Sequence, residues 1–400
     1  MICSPMSSVS AAAARPLRVM RVLTRPNLGG PTRQAIALWH AHRAGGVETL
    51  LVTGVVGDGE AILSPAAHGV PAAAGAGAGW LELPHLRRGV DPVADARACR
   101  GIRQLIRAFR PDVVHTHTSK AGVVARRAAF AERVPAVAHT FHGHVLRDYF
   151  GAVSSWWLRR LERRLAARTD LLLAVSASCA DELAALDVAP RDRFLVTPPA
   201  VATSPALPRA DARARLGLAR DAWAVAAVGR LVPIKRLEDF VRMVGGAPSL
   251  CGDVLGEGPQ RAALATLAER RCGGRLRLLG SEPDAARLLP AYDAVVMPSV
   301  REGCPLVAIE AFAAGVPVVG YDVPGVRDAL ASLGRGLLVP VGDGPGGLLA
   351  AVSRLREDGA LRRELVASAT SAVMQCSPAA VGAALTEGYR RALHGAGVAP

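Results

Sequence analysis

SVREGCPLVAIEAFAAG, residues 299–315, is the stretch on which the reading of the chain turns. It lies between two short apolar runs, DAVVM at 293–297 and VPVVG at 316–320. Their length and β-branched content predict fully buried parallel strands. The segment between them reads as a loop followed by the first turns of a helix. Pro305 suits the first helical turn, where its missing N–H costs nothing, and Gly315 suits the C-terminal cap. A helix then opens just past a strand end, which is where open α/β sheets bind ligands.

Two carboxylates bracket this turn. Glu302 lies in the loop, and Glu310 lies about a turn and a half into the helix. Free N–H groups and the positive dipole end of a helix favour an anion. A carboxylate further along can accept from the hydroxyls which that anion carries. The element therefore suits a phosphorylated polyol such as a nucleotide. For two bare glutamates, a solvated acidic turn ahead of a core helix is the plainer reading.

The seven residues between the glutamates, GCPLVAI, alter that balance. With the following AFAAGVPVVGYDVPGVRD, residues 311–328, they resemble the paired-glutamate signature of retaining glycosyltransferase family 4, and within it the bacterial capsule and exopolysaccharide glycosyltransferases. The resemblance implies an α/β GT-B fold, with two Rossmann-like domains facing each other across a cleft. The second domain would hold a nucleotide-sugar donor and the first an acceptor.

Composition fits that class. Half of the 400 residues are apolar and only 4% aromatic, as in Ala/Val/Leu/Gly-rich α/β cores. No uncharged apolar run reaches about 18 residues, so no spanning helix is expected. The first 15 residues lack a basic start followed by an apolar stretch and read as a disordered extension rather than a secretory signal. Seven scattered cysteines, without metal or redox spacing, read as reduced thiols in the cytosol. The net charge of +14 comes from arginine; lysine occurs only at Lys120 and Lys235. With few aromatics to stack on bases, nucleic acid is not the expected partner. Attraction to an anionic membrane is the other consequence of such charge.

In chain order, LRVMRVLT at 17–24 reads as a strand, PNLGGP at 26–31 as a glycine turn and 32–43 as a helix. Gly30 lets backbone approach a ligand closely, or simply makes a tight turn. VVHTH at 113–117 is a buried strand, with Lys120 at the start of the next helix. A further strand, 136–140, leads into FHGH. Five histidines, His115, His117, His139, His142 and His144, thus crowd two strand ends. No acidic or cysteine partner accompanies them, so no metal is assigned. Residues 149–168, YFGAVSSWWLRRLERRLAAR, form a basic helix with tryptophans at one end, suited to a membrane surface or to an ordinary solvated face. PPAVATSPALP at 198–208 reads as a linker. GRLVPIKR, after the strand at 223–228, places Arg230 and Lys235 where two phosphates would need neutralising.

The family resemblance assigns roles onto these positions. His142, in its TFHG context, would reach the donor sugar, with His144 the alternative. Glu302 would orient the sugar and stabilise positive charge near its anomeric carbon. Gly30, Arg230, Lys235, Gly303, Cys304, Pro305 and Leu306 would line the donor site, and Glu310 would hold the ribose hydroxyls. The chain divides as a disordered extension at 1–15, an acceptor-side domain at 16–198, a linker at 199–209, a nucleotide-sugar domain at 210–378, and a helix at 379–400 crossing back to the first domain. The expected enzyme is a retaining, metal-independent hexosyltransferase without cofactor, acting on a glycan or lipid-linked acceptor at the inner membrane face, with UDP favoured over GDP. Two competing readings are a sugar-nucleotide epimerase of the same architecture and a non-catalytic basic binding protein. Ala200 and Val201 depart from the family, which usually has a glycine after the prolines.

Overall fold

The computed structural model describes residues 15–57, 60–75, 77–143, 146, 151–203, 205–283, 285–332, 336–395 and 397. The initial extension, other than Arg15, and His144 lie outside the described residues.

Seven strands form the first sheet: β1 (Arg18–Leu23), β2 (Glu48–Thr53), β3 (Gly79–Glu82), β4 (Val113–His117), β5 (Ala136–Phe141), β6 (Leu171–Ala174) and β7 (Phe194–Val196). Their spatial order is 3-2-1-4-5-6-7, and every registered pair is parallel. Each strand is followed by a helix or long connection, as parallel neighbours require. The helices of this half are α1 (Gly30–Ala44), α2 (Pro92–Phe109), α3 (Ser119–Ala131), α4 (Ala152–Ala166) and α5 (Ala177–Ala185). β4 and β5 are buried at every residue because helices cover both faces. Asp91 caps α2 by accepting from the Val93 and Ala94 amides at 3.0 Å each.

Six strands form the second sheet: β8 (Trp223–Val228), β9 (Leu250–Leu255), β10 (Leu276–Gly280), β11 (Ala294–Met297), β12 (Val318–Tyr321) and β13 (Leu337–Val339). Their order, 10-9-8-11-12-13, repeats the doubly wound pattern, again with parallel pairs. The helices here are α6 (Arg209–Leu216), α7 (Leu237–Gly245), α8 (Arg261–Cys272), α9 (Ala285–Leu288), α10 (Leu306–Ala313), α11 (Pro324–Ser332), α12 (Gly344–Glu357) and α13 (Gly359–Gln375). Two Rossmann-like α/β halves thus face each other, the GT-B arrangement.

The last helix, α14 (Pro378–Gly395), leaves the second half and packs on α1. Its Val381, Leu385, Tyr389 and Leu393 join Val19, Val113 and Ala138 in one apolar cluster of the first half. At the linker, Val201 is buried beside Ile309 and Cys376, and its amide donates to the Cys376 carbonyl at 2.9 Å. A packed side chain therefore fixes the linker against the second half.

Candidate active site

β8 and β11 adjoin at the point where strand order reverses, the place at which an open sheet leaves a crevice. The turn after β8 carries Lys235. Its stem lies over Gly229, within 3.5 Å of where a Cβ would stand. The ammonium donates to Glu302 Oε1 in the loop after β11. Both side chains are mostly buried, so the pair is less screened than a surface pair.

The Glu302 loop is held by close backbone contact. A Cβ on Gly325, at the start of α11, would lie 2.2 Å from the Glu302 carbonyl oxygen. The next residue, Gly303, meets the first half directly, since a Cβ there would lie 2.3 Å from the His142 carbonyl oxygen. Pro305 stands at the N-cap of α10 rather than inside its first turn, and Gly315 lies one residue past the Ala314 cap. A Cβ on Gly30, which opens α1, would lie 3.5 Å from the Leu306 side chain. Cys304 is half-buried, with its thiol pushed well up by desolvation. The start of α10 is therefore enclosed by Gly30 and His142 from the opposite half.

Glu310 is buried one and a half turns into α10, and its Oε1 accepts from Arg33 Nη1 of α1 at 3.1 Å. Burial raises the Glu310 pKa, and the Arg33 charge offsets part of that rise. A second polar tie crosses between the halves: Asp328 of α11 accepts from the Ser178 amide at 2.8 Å and from its hydroxyl at 3.0 Å. Arg230 stands apart. It is exposed and makes no hydrogen bond or ion pair through its side chain among the described residues.

His142 follows β5 and keeps part of its surface in the cleft. The packing around it is nonetheless dense enough to bring its pKa down to about 3, through desolvation first and the charge of Arg21 second. Its Nε2 lies 2.9 Å from His117 Nδ1. His115, His117 and His139 are fully enclosed, and desolvation holds each well below the ordinary range. His139 pairs with the Thr116 hydroxyl at 2.7 Å and His115 with the Thr140 hydroxyl at 2.7 Å. Among the described residues no group of three or more His, Cys, Asp or Glu is placed to hold a metal. Lys120 pairs with Asp95 of α2, away from this junction.

The sequence reading missed Arg21, Arg33, Ser178 and Tyr389. Arg21 had a signal, a charge in the middle of the apolar run LRVMRVLT. Arg33 had none, because an arginine early in a helix is ordinary and its partner lies 277 residues away.

Comparison with known proteins adds the following. The family described as "Glycosyl transferase 4-like domain" matches residues 29–200, and "Glycosyl transferases group 1" matches residues 223–358. The chain is 29% identical over 281 residues to UDP-Gal:alpha-D-GlcNAc-diphosphoundecaprenol alpha-1,3-galactosyltransferase of Escherichia coli, covering 65% of this chain and 70% of that protein. It is 32% identical over 308 residues to D-inositol 3-phosphate glycosyltransferase of Thermobispora bispora, covering 71% of each. Four such curated relatives are spanned over 61 to 71% of their own length. Among solved structures, HepE of Anabaena, in complex with UDP and glucose, superposes with a TM-score of 0.76 at 18% identity, covering 93% of this chain and 98% of that one.

Proposed function

The chain belongs to the family 4-like glycosyltransferases of GT-B fold, and on that premise we propose that it transfers a sugar from a UDP-sugar to a lipid-linked or glycan acceptor, with retention at the anomeric carbon. One observation carries this reading. Lys235, Glu302 and the start of α10 converge at a strand-order switch, directly against the His142–Gly143 backbone of the opposite half.

The arrangement suits departure of a nucleoside diphosphate. As the C1–O bond to phosphate breaks, negative charge grows on the leaving oxygens. Lys235 and the α10 amides would stabilise that charge as fixed donors. Glu302 would face the positive charge developing at C1, and Glu310 would accept from the ribose hydroxyls once Arg33 yields. His142 would hold the sugar from the first domain. Arg230, exposed beside this site, would close on the phosphates only when they are bound. Front-face substitution through an ion-pair-like state is the course the family likeness favours, and no cofactor or metal enters this reading.

UDP is favoured as the base because HepE was solved with it and the Escherichia coli relative is named for UDP-Gal. The name of that relative also specifies a diphosphoundecaprenol acceptor. A lipid-linked acceptor here is supported by α4, which exposes Val153, Trp156 and Trp157 beside Arg160, Arg163 and Arg164. This face would rest on an anionic inner membrane surface. No helix among the described residues is long and apolar enough to cross a membrane.

Calorimetric titration of UDP and of GDP into the protein and into Lys235→Ala tests the donor site. Binding of UDP, weakened about tenfold or more by the substitution, is expected. Binding of neither nucleotide would overturn the reading.

A further inference from the structure

Arg21 lies in the middle of β1 and is fully buried. Among the described residues it has no carboxylate partner. Its contacts are instead three ring or hydroxyl groups. Nη1 lies 2.8 Å from His117 Nε2 and 3.3 Å from His115 Nδ1, and Nη2 lies 3.3 Å from the Tyr389 hydroxyl of α14. The Tyr389 hydroxyl is also 2.6 Å from His115 Nδ1.

A guanidinium can only donate, and it stays charged in a protein. That asymmetry fixes every proton in the chain of contacts that leads to the cleft. His117 Nε2 must accept from Arg21, so the ring is not the doubly protonated cation. Its one proton therefore sits on Nδ1. That Nδ1–H points at His142 Nε2, 2.9 Å away, which must accept in turn. His142 is left with its proton on Nδ1. The side branch obeys the same logic. His115 Nδ1 accepts from the Tyr389 hydroxyl, so Nε2–H donates to the Thr140 hydroxyl at 2.7 Å. No donor faces a donor anywhere in the network.

We propose that Arg21 is a positioning residue for sugar transfer: acting through His117, it holds His142 in the Nδ1–H tautomer, so that the ring offers the donor sugar a hydrogen-bond donor and no acceptor. This rests on the reading that places His142 at the sugar. A free neutral imidazole exchanges between two tautomers and could present either character. Here a buried charge without a counter-ion among the described residues imposes one of them, two hydrogen bonds away. The depressed pKa of His142 agrees, because a ring that never takes up a second proton keeps Nε2 available to accept.

The test uses full-length protein with 15N-labelled histidine. Long-range proton–nitrogen correlation spectra report the tautomer of each ring, and His142 is assigned by its absence in His142→Gln. The expected wild-type spectrum shows His142 with an unprotonated Nε2 and a protonated Nδ1. In Arg21→Met the Nε2–H form should appear, whereas Arg21→Lys, which still donates, should keep the wild-type tautomer. The affinity readout compares UDP with UDP-glucose and UDP-galactose. Arg21→Met should weaken the better-bound sugar nucleotide about tenfold while UDP itself changes less than about twofold, and Arg21→Lys should restore most of the difference. A wild-type His142 carrying its proton on Nε2 overturns the proposal without any variant. An unchanged tautomer in Arg21→Met overturns it also, whatever happens to affinity, because Arg21 would then be merely structural. Where Arg21→Met does not fold, His117→Phe removes the same donor, and the Nε2–H form of His142 is again the expected result. If His142→Ala binds the sugar nucleotides as the wild type does, the placement of His142 at the sugar fails, and the spectrum still decides the tautomer.

Discussion

Arg33 and Glu310, from opposite halves of the molecule, meet at 3.1 Å on the helix that opens the candidate donor site. Glu310 is enclosed, whereas Arg33 is about one third exposed. The pair joins α1 to α10 at the proposed ribose position, where a bound nucleotide would compete with Arg33 for the same carboxylate. Donor binding and the contact between the halves would then be coupled through one side chain.

Removing Arg33 leaves Glu310 buried without its cation. Its pKa, already raised by burial, rises further. A carboxyl with a raised folded pKa binds its proton more tightly folded than unfolded. Its ionisation therefore costs stability as pH rises through the folded pKa, and that cost is absent below the unfolded pKa. Arg33→Ala should lose about 1–2 kcal/mol relative to wild type at pH 8 and less at pH 5. Paired urea titrations at the two pH values check this, and an equal loss at both would contradict it.

The buried histidines give the opposite sign. His42 and His142 are brought down to about 3, and His115, His117 and His139 lie well below the ordinary value, in each case through desolvation first. A histidine with a depressed folded pKa is neutral in the native state and charged when unfolded between that pKa and about 6.5. Its stabilising effect is complete above about 6.5 and is lost as pH falls, by up to about 1.4 kcal/mol per pH unit for each ring. The urea midpoint should fall steeply from pH 7 to pH 5; a flat profile would mean that these rings are not neutral and buried.

Gly303→Ala tests the contact between the halves most directly. Its Cβ would lie 2.3 Å from the His142 carbonyl oxygen, so either the cleft opens or the Glu302 loop shifts. Sugar-nucleotide affinity should fall by about tenfold or more while the melting temperature stays within a few degrees, since each domain core is untouched. Calorimetry with UDP-glucose and UDP-galactose, beside thermal melts, separates these effects.

The buried pair that carries α4 behaves differently from a surface bridge. Arg126 Nη2 donates to both oxygens of Glu162, at 2.7 and 2.9 Å, with both residues enclosed. Glu162→Ala strands a buried guanidinium and should cost about 3–5 kcal/mol. Arg126→Met combined with Glu162→Leu should recover most of that loss. A double variant as unstable as Glu162→Ala would show that shape rather than charge governs this site.

Trp156 and Trp157, 49% and 59% exposed, stack edge to face at 4.9 Å on the basic face of α4. Replacing both with Ala should abolish flotation with anionic liposomes and leave UDP affinity unchanged. Unchanged flotation would remove the membrane role.

The α/β architecture was legible because its signals are local. Apolar runs such as AVVM and VVHTH have the length of strands, and the paired-glutamate segment sits between two of them. The convergence of Lys235 on Glu302 was also suggested, because each lies in a turn after a strand of one sheet. Long-range partnership was not legible. Arg33 finds Glu310 only after two domains dock, and Tyr389 reaches Arg21 across 368 residues. The partner of Lys120 was likewise not legible, since Asp95 of α2 lies on another helix. The surroundings of the linker were not legible either: Val201 is seen to be packed only once Ile309 and Cys376 are placed around it.

The return of α14 to the first half has a bearing on how the molecule is made. Tyr389 is made only after the second half, yet it seals the interior around Arg21 and His115. Nascent β1 to β7 therefore wait, with an unsealed pocket holding the Arg21 charge, while the whole second half is synthesised. The second half can fold as a contiguous piece, but the first half is completed only after the chain has doubled back. Synthesis of α14, rather than emergence of the first sheet, is then the event that finishes the cleft.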